Sequence, residues 1–161
     1  MVNINPRYSL VLVLQLFLLA VDIFCNSFTI LFGSNAIVLL VLYMVQDISL
    51  MFSLILLFLV FFNTFVFKAG LISLLIRKFS APLMVGAVYL VLTFAFHVWN
   101  LSIRWGRPNQ YHWSNGLQAM YVFQKLLAVV YYYFYKRAVL KLGDTKYYED
   151  SVWLRKHLSV R

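Results

Sequence analysis

A run of 32 residues, 36–67, contains no glycine, proline, lysine or arginine, and it constrains the fold more than any other feature of the chain. As a helix rising about 1.5 Å per residue it would be about 48 Å long, more than the roughly 30 Å hydrocarbon core of a bilayer. Further apolar runs cover about 8–28, 82–101 and 117–135, and the helix of the last is predicted to continue to 142, which gives a fourth span of 117–142. The sequence therefore predicts an all-α membrane protein, a four-transmembrane-helix bundle with no separate soluble domain.

The composition excludes the common soluble classes of protein. Hydrophobic residues make up 63% of the 161 positions and charged residues 12%, whereas soluble domains average about 45–50% and about 25%. One core of this size cannot enclose so much apolar surface. An ordinary soluble enzyme and a disordered chain are thus excluded, and the single cysteine, Cys25, excludes a disulfide scaffold.

Local signals at the ends of the runs define the spans and the segments between them. Pro82 is predicted to start the third helix, because its missing N–H would be unpaired there anyway, and Gly143 is predicted to cap the fourth helix. The segment 68–78 has an apolar middle and basic ends, which suit the cytoplasmic interface. The first run exceeds the apolar part of a cleaved signal peptide, so we interpret it as a span.

Lysine and arginine residues predict the orientation. Eleven of them lie before the first span, in the second loop or after Tyr135, whereas two lie in the other loops and Lys125 lies within the fourth helix. Both termini are therefore predicted to be cytoplasmic, and 143–161 becomes a cytoplasmic basic and aromatic tail. The net charge of +9 also suggests nucleic acid. Because the basic residues flank the spans, we expect them to meet anionic lipid headgroups instead, and no nucleic acid as a partner.

Ionisable side chains within the spans need a partner or a task, because their burial in lipid is costly. Helix periodicity predicts a structural intramembrane polar cluster of Asp22, Asn26, Asp47, Lys125 and Gln118. Within it, we expect Lys125 to pair with Asp47. Two interpretations remain open: a structural ion-pair network that fixes how the helices pack, or a proton or ion relay.

Chemical motifs beyond this cluster are few. His97 is predicted to be a hydrogen-bonded structural residue, since no second histidine lies at metal-ligand spacing. The sequon at Asn100 lies at the end of a span, so we expect it to remain unglycosylated. No hydrolase, metalloprotease, phosphate-loop or paired-cysteine motif is present in the sequence. We therefore predict no catalytic residues, no metal and no cofactor.

Several strings in the sequence resemble the transmembrane protein 138 family. They are FFNTFVFKAGL at 61–71, HVW at 97–99, YVFQKL at 121–126, YYFYKR at 132–137 and LGDTKYYEDSVWLRK at 142–156. The resemblance implies a small four-span protein of primary cilia, associated with the transition zone and with Joubert-type ciliopathy. It also implies neighbours such as jouberin and the tectonic-complex membrane proteins, and family members are also placed on vacuolar membranes. Asn5-Pro6-Arg7 departs from a sequon that some members carry before the first span.

The resemblance and the residues together predict a non-enzymatic membrane interaction or scaffold protein. It would be required for cilium assembly and for trafficking or retention of ciliary membrane proteins, including a receptor cargo. Partner or lipid contacts are expected from the tail residues Tyr147, Tyr148, Trp153, Leu154, Arg155 and Lys156, for which a solvated or membrane-resting end is the other interpretation. The alternative function is a small oligomeric proton or cation transporter, or a channel-like protein, that uses Asp22 and Asp47.

Overall fold

The computed structural model describes residues 6–29, 31, 35–63, 72–105 and 114–143. They form four helices: α1 (Pro6–Phe28), α2 (Ala36–Asn63), α3 (Ile72–Trp105) and α4 (Asn115–Leu142). The predicted all-helical membrane fold is confirmed. Segments of α1 (Tyr8–Phe28), α2 (Ala36–Asn63) and α3 (Ser80–Trp105) are long and apolar enough to cross a membrane, whereas α4 falls outside this group.

The start of α3 differs from the prediction. The helix begins at Ile72, and Pro82 lies inside it, buried against its neighbours. A proline within a helix lacks an N–H and crowds the carbonyl four residues earlier, but membrane helices tolerate this because neighbouring groups satisfy the freed carbonyl. Residues 72–78 of the predicted interfacial segment are thus helical and continuous with α3, while 68–71 lie outside the described residues.

Both ends of α4 are capped by residues of the expected kind. The Ser114 hydroxyl accepts a hydrogen bond from the Leu117 N–H at 3.3 Å, as an N-cap serine does. Gly143 caps the other end, as predicted, and its N–H donates to the Val139 carbonyl at 3.1 Å. A Cβ on Gly143 would lie 2.7 Å from the Tyr8 ring. Glycine is therefore needed there because α1 approaches closely.

The helices pack in chain order, α1 on α2, α2 on α3 and α3 on α4, and α4 also contacts α1. The Tyr8 hydroxyl donates to the Val139 carbonyl at 3.3 Å, so the start of α1 and the end of α4 share one end of the bundle. We call this the terminal end. Which side of the membrane it faces stays a prediction from the lysine and arginine positions.

Two apolar clusters fill the interior. The larger includes Tyr8, Leu57, Tyr135 and Leu142 and lies toward the terminal end. The smaller lies toward the other end of the bundle and consists of four buried residues, Leu39, Tyr43, Phe96 and Leu117. Ten polar side chains of the described residues are buried as well. The interior of the bundle therefore combines apolar clusters toward both ends with buried polar groups that need partners.

The outer surface of the bundle is largely apolar. Large hydrophobic side chains are exposed on every helix, for example Leu10, Val41, Val91 and Leu126. A soluble monomer rarely exposes apolar surface on this scale. Lipid or partner helices are the surroundings that such a surface requires.

Candidate functional site

Asp22 lies on the face of α1 that packs into the bundle. Its side chain is 1% exposed. The Gln46 amide of α2 donates to Oδ1 at 2.7 Å, and the Tyr89 hydroxyl of α3 donates to Oδ2 at 3.3 Å. Both carboxylate oxygens are therefore used to join α1 to two neighbouring helices.

Asn26, one turn further along α1, connects the same face to α4. Its Nδ2 donates to the Tyr132 hydroxyl at 3.0 Å, and its Oδ1 accepts from the Gln124 amide at 3.2 Å. The Tyr132 and Tyr89 hydroxyls lie 3.4 Å apart. We call this connected set the interior network: Asp22, Asn26, Gln46, Tyr89, Gln124, Lys125 and Tyr132. It includes residues from all four helices.

Lys125 completes the interior network at the end of α1. Its ammonium donates to the Asn26 backbone carbonyl and to Asn26 Oδ1, and it lies 5.1 Å from the centre of the Tyr121 ring. The last four carbonyls of a helix have no partner within that helix and carry its negative dipole end. Because α1 ends at Phe28, Lys125 satisfies one of these carbonyls from another helix.

Asp47 belongs to a separate set of contacts, between α2 and α3. His97 Nδ1 lies 2.9 Å from Asp47 Oδ1, and the two side chains are 4% and 18% exposed, respectively. The His97 ring stacks on Tyr43 with 3.8 Å between ring centres. Tyr43 accepts from the Asn100 amide at 2.5 Å, and Arg104 Nε donates to Asn100 Oδ1 at 2.8 Å. The imidazole is thus held in place from two sides.

The predicted pairing of Lys125 with Asp47 is wrong. Asp47 contacts His97, and Lys125 contacts Asn26. The expected depth was nevertheless close, because Gln46, which precedes Asp47, binds Asp22. Consecutive helical residues point about 100° apart, so α2 directs Gln46 toward α1 and Asp47 toward α3. The prediction was therefore wrong about the face of α2 on which Asp47 lies.

The structure also separates the remaining predicted site residues. Asp22, Asn26 and Lys125 meet in the interior network, whereas Gln118 is exposed and lies outside it. Gln124, which the sequence interpretation missed, takes its place. Buried positions 117, 124, 131 and 138 of α4 recur every seven residues, and this repeat was the available signal. The six predicted tail residues lie outside the described residues.

Gln46 and Tyr89 were also missing from the predicted cluster. Gln46 follows Tyr43 and precedes Ser49 and Ser53, and all four side chains are buried. Tyr89 is fully buried and stacks on Tyr131, with ring centres 4.7 Å apart. A tyrosine within an apolar membrane run needs a partner for its hydroxyl. That requirement was the signal that pointed to Tyr89.

The arrangement supplies hydrogen bonds between helices. Among the described residues, no group of three or more histidine, cysteine, aspartate or glutamate side chains lies close enough to hold a metal ion. Further bonds join the helices in the larger apolar cluster. The Ser53 hydroxyl lies 2.9 Å from the Tyr131 hydroxyl, and the Tyr135 hydroxyl donates to the Ser53 carbonyl at 3.1 Å.

A groove of about 550 Å³ runs along the surface between α2 and α3, beside Asp47. We call it the α2–α3 groove. Apart from Asp47, its lining is apolar and comes from both helices: Met44, Ile48, Met51, Leu90, Val91, Phe94 and Ala95. Asp47 is therefore a carboxylate at the edge of an otherwise apolar surface.

Comparison with known proteins identifies the family. The profile of the family described as Transmembrane protein 138 matches residues 39–157. The chain is 50% identical over 150 residues to transmembrane protein 138 of Mus musculus, covering 93% of each chain. It is 50% identical over 149 residues to that of Danio rerio, covering 92% of each chain. No solved structure matches the chain. A profile match over most of the chain and relatives of nearly equal length show that this protein belongs to the transmembrane protein 138 family.

Proposed function

We propose that this protein is a non-enzymatic membrane scaffold required for cilium assembly and for trafficking or retention of membrane proteins at the ciliary transition zone. Family membership over 93% of the chain is the observation that carries the proposal. Because the chain belongs to the family, we assign to it the ciliary role that the resemblance implies for family members. The partners we propose are the lipid bilayer, jouberin, tectonic-complex components and a ciliary receptor cargo, and vacuolar membranes are a second location.

The distribution of polar and apolar groups supports a scaffold. Asp22, Asn26 and Lys125 bind other groups of the bundle, which is how a structural network uses intramembrane charges. The outer faces of the helices present apolar side chains. We propose that α4 also crosses the membrane, since it has 28 residues and packs along α3.

Expression of this chain in mouse cells of a normally ciliated type that lack their own transmembrane protein 138 tests the ciliary role. We expect expression of this chain to restore the fraction of ciliated cells and to place the protein at the base of the cilium. A chain that reaches cellular membranes in normal amounts, yet restores no cilia and stays away from the ciliary base, would contradict the proposal.

The tail is the proposed contact region for partners. Simultaneous replacement of Trp153, Leu154, Arg155 and Lys156 by alanine should abolish localisation at the ciliary base and co-purification of partners. The matched control replaces four polar tail residues by alanine, Thr145, Glu149, Ser151 and Ser159, and should retain both. Equal behaviour of the two variants would remove the tail from the proposal.

A flux assay separates the scaffold from the transporter alternative. Purified chain in proteoliposomes should carry no proton or cation flux above that of empty vesicles. Flux through the wild type that is lost in the Asp47→Asn variant would overturn the scaffold proposal and support transport.

A further inference from the structure

The α2–α3 groove combines an adaptable apolar surface with one charged group. Met44, Ile48 and Met51 of α2 and Val91 and Phe94 of α3 are each about half exposed or more. Methionine side chains are flexible and adjust to irregular partners. The groove can therefore receive side chains of an apolar helix without a fixed shape match.

Asp47 is less completely satisfied than a buried carboxylate normally is. His97 lies against Oδ1, whereas no side chain among the described residues hydrogen-bonds Oδ2. The Asp47 side chain is 18% exposed beside the groove. An ionisable group within a membrane span is costly unless it is paired, so an acceptor that no described side chain occupies indicates a missing donor.

The depth of Asp47 decides what kind of molecule can supply that donor. Asp47 lies eleven residues from the start of α2, a rise of about 16 Å, which is near the middle of a hydrocarbon core of about 30 Å. Lipid headgroups remain at the interface, and acyl chains have no donor. A transmembrane helix, however, places its side chains at every depth.

We propose that the α2–α3 groove binds a transmembrane helix of another protein that carries one lysine or arginine side chain at mid-membrane, with Asp47 as the acceptor. The apolar face of that helix packs on the groove, and its cation pairs with the carboxylate. We choose a cationic partner helix because a cation complements the charge of Asp47, and Lys125 of this chain already binds Asn26. The inference stands apart from the proposed ciliary role.

Binding of a synthetic transmembrane peptide tests the inference. The probe is a leucine–alanine helix with one central lysine, labelled with an energy-transfer acceptor, in dioleoylphosphatidylcholine vesicles containing the full chain with a donor on its N-terminus. We expect the lysine peptide to bind about tenfold more tightly than the same peptide with leucine at that position, a difference of about 1.4 kcal/mol.

Three variants locate the binding surface. Asp47→Asn should reduce the preference for lysine to within about twofold, which corresponds to about 0.4 kcal/mol. Ala95→Trp fills the groove, leaves the carboxylate in place and should abolish binding of the lysine peptide. Phe123→Trp changes an exposed face of α4 and should leave binding unchanged. If Asp47→Asn fails to fold, the test of the binding surface is the difference in lysine-peptide binding between Ala95→Trp and Phe123→Trp.

Other outcomes overturn the proposal. Equal binding of the lysine and leucine peptides, with loss of both in Ala95→Trp, would show that the groove takes any apolar helix. Competition by an unlabelled Ala95→Trp chain, whose own groove is filled, would show that a second copy occupies the groove. An undiminished preference for lysine in a folded Asp47→Asn variant would place the peptide elsewhere.

Discussion

Two carboxylates, those of Asp22 and Asp47, lie at nearly the same depth in the bundle. Gln46 of α2 donates a hydrogen bond to Asp22, and Asp47 is the residue that follows Gln46. Asp22 is enclosed, and donors from two helices use both of its oxygens. Asp47 is partly exposed beside an apolar groove, with His97 at one oxygen. The contrast indicates that the first carboxylate holds the bundle together, whereas the second remains available to a partner.

Removal of Asp22 should have the largest effect on stability. Asp22→Leu leaves the Gln46 amide and the Tyr89 hydroxyl buried without their acceptor, which costs about 3 kcal/mol. The measurement is the free energy of unfolding from a denaturing-detergent titration in mixed micelles. Ile23→Leu, at an exposed neighbouring position, is the control and should change stability by less than about 0.5 kcal/mol. Equal stabilities of the two variants would show that the interior network is dispensable.

Lys125→Met should destabilise the bundle by about 2 kcal/mol, since the Asn26 carbonyl at the end of α1 loses its donor. Leu126→Met, on the exposed face of the same helix, is the matched control. Combination of Lys125→Met with Asp47→Asn also tests the assignment of partners. The two effects should add within about 0.5 kcal/mol, whereas a larger coupling would restore the Lys125–Asp47 pair.

The same isosteric change at the two carboxylates sharpens the comparison. Asp22→Asn keeps an acceptor for Gln46 but replaces the carboxylate oxygen that accepts from Tyr89 by an NH2 group, and loss of these two charge-assisted hydrogen bonds should cost about 2 kcal/mol. Asp47→Asn keeps an acceptor for His97 and removes a charge from membrane depth, so its effect should stay within about 1 kcal/mol. Thermal unfolding in detergent micelles ranks the two variants. The reverse ranking would contradict the division of roles.

The smallest expected effect concerns the Asp47–His97 contact itself. A double-mutant cycle with Asp47→Leu and His97→Phe should give a coupling free energy of about 0.6 kcal/mol, typical of side-chain hydrogen bonds between membrane helices. Unfolding titrations of the two single variants and the double variant supply the cycle. A coupling above about 2 kcal/mol would mean that Asp47 is committed to His97 and unavailable to a partner.

The sequence determined the fold class and the approximate helix positions. Long apolar runs require a bilayer and, within it, a helix that satisfies its own backbone, so α1, α2 and most of α3 follow from hydropathy. Gly143 was identifiable as a helix end because glycine is favoured beyond the last turn. Pro82 misled the prediction, since a span tolerates an internal proline when its neighbours satisfy the freed carbonyl.

Only the tertiary structure decided which polar groups meet. Spacing along the sequence placed Asp22, Asp47 and Lys125 at similar depths. The depth of a residue, however, does not determine how its helix is rotated about its own axis. That rotation depends on packing between helices far apart in sequence, such as the approach of Asn26 to Gln124 and Lys125. Because consecutive helical residues point about 100° apart, Gln46 lies in the interior network and Asp47 lies beside the α2–α3 groove.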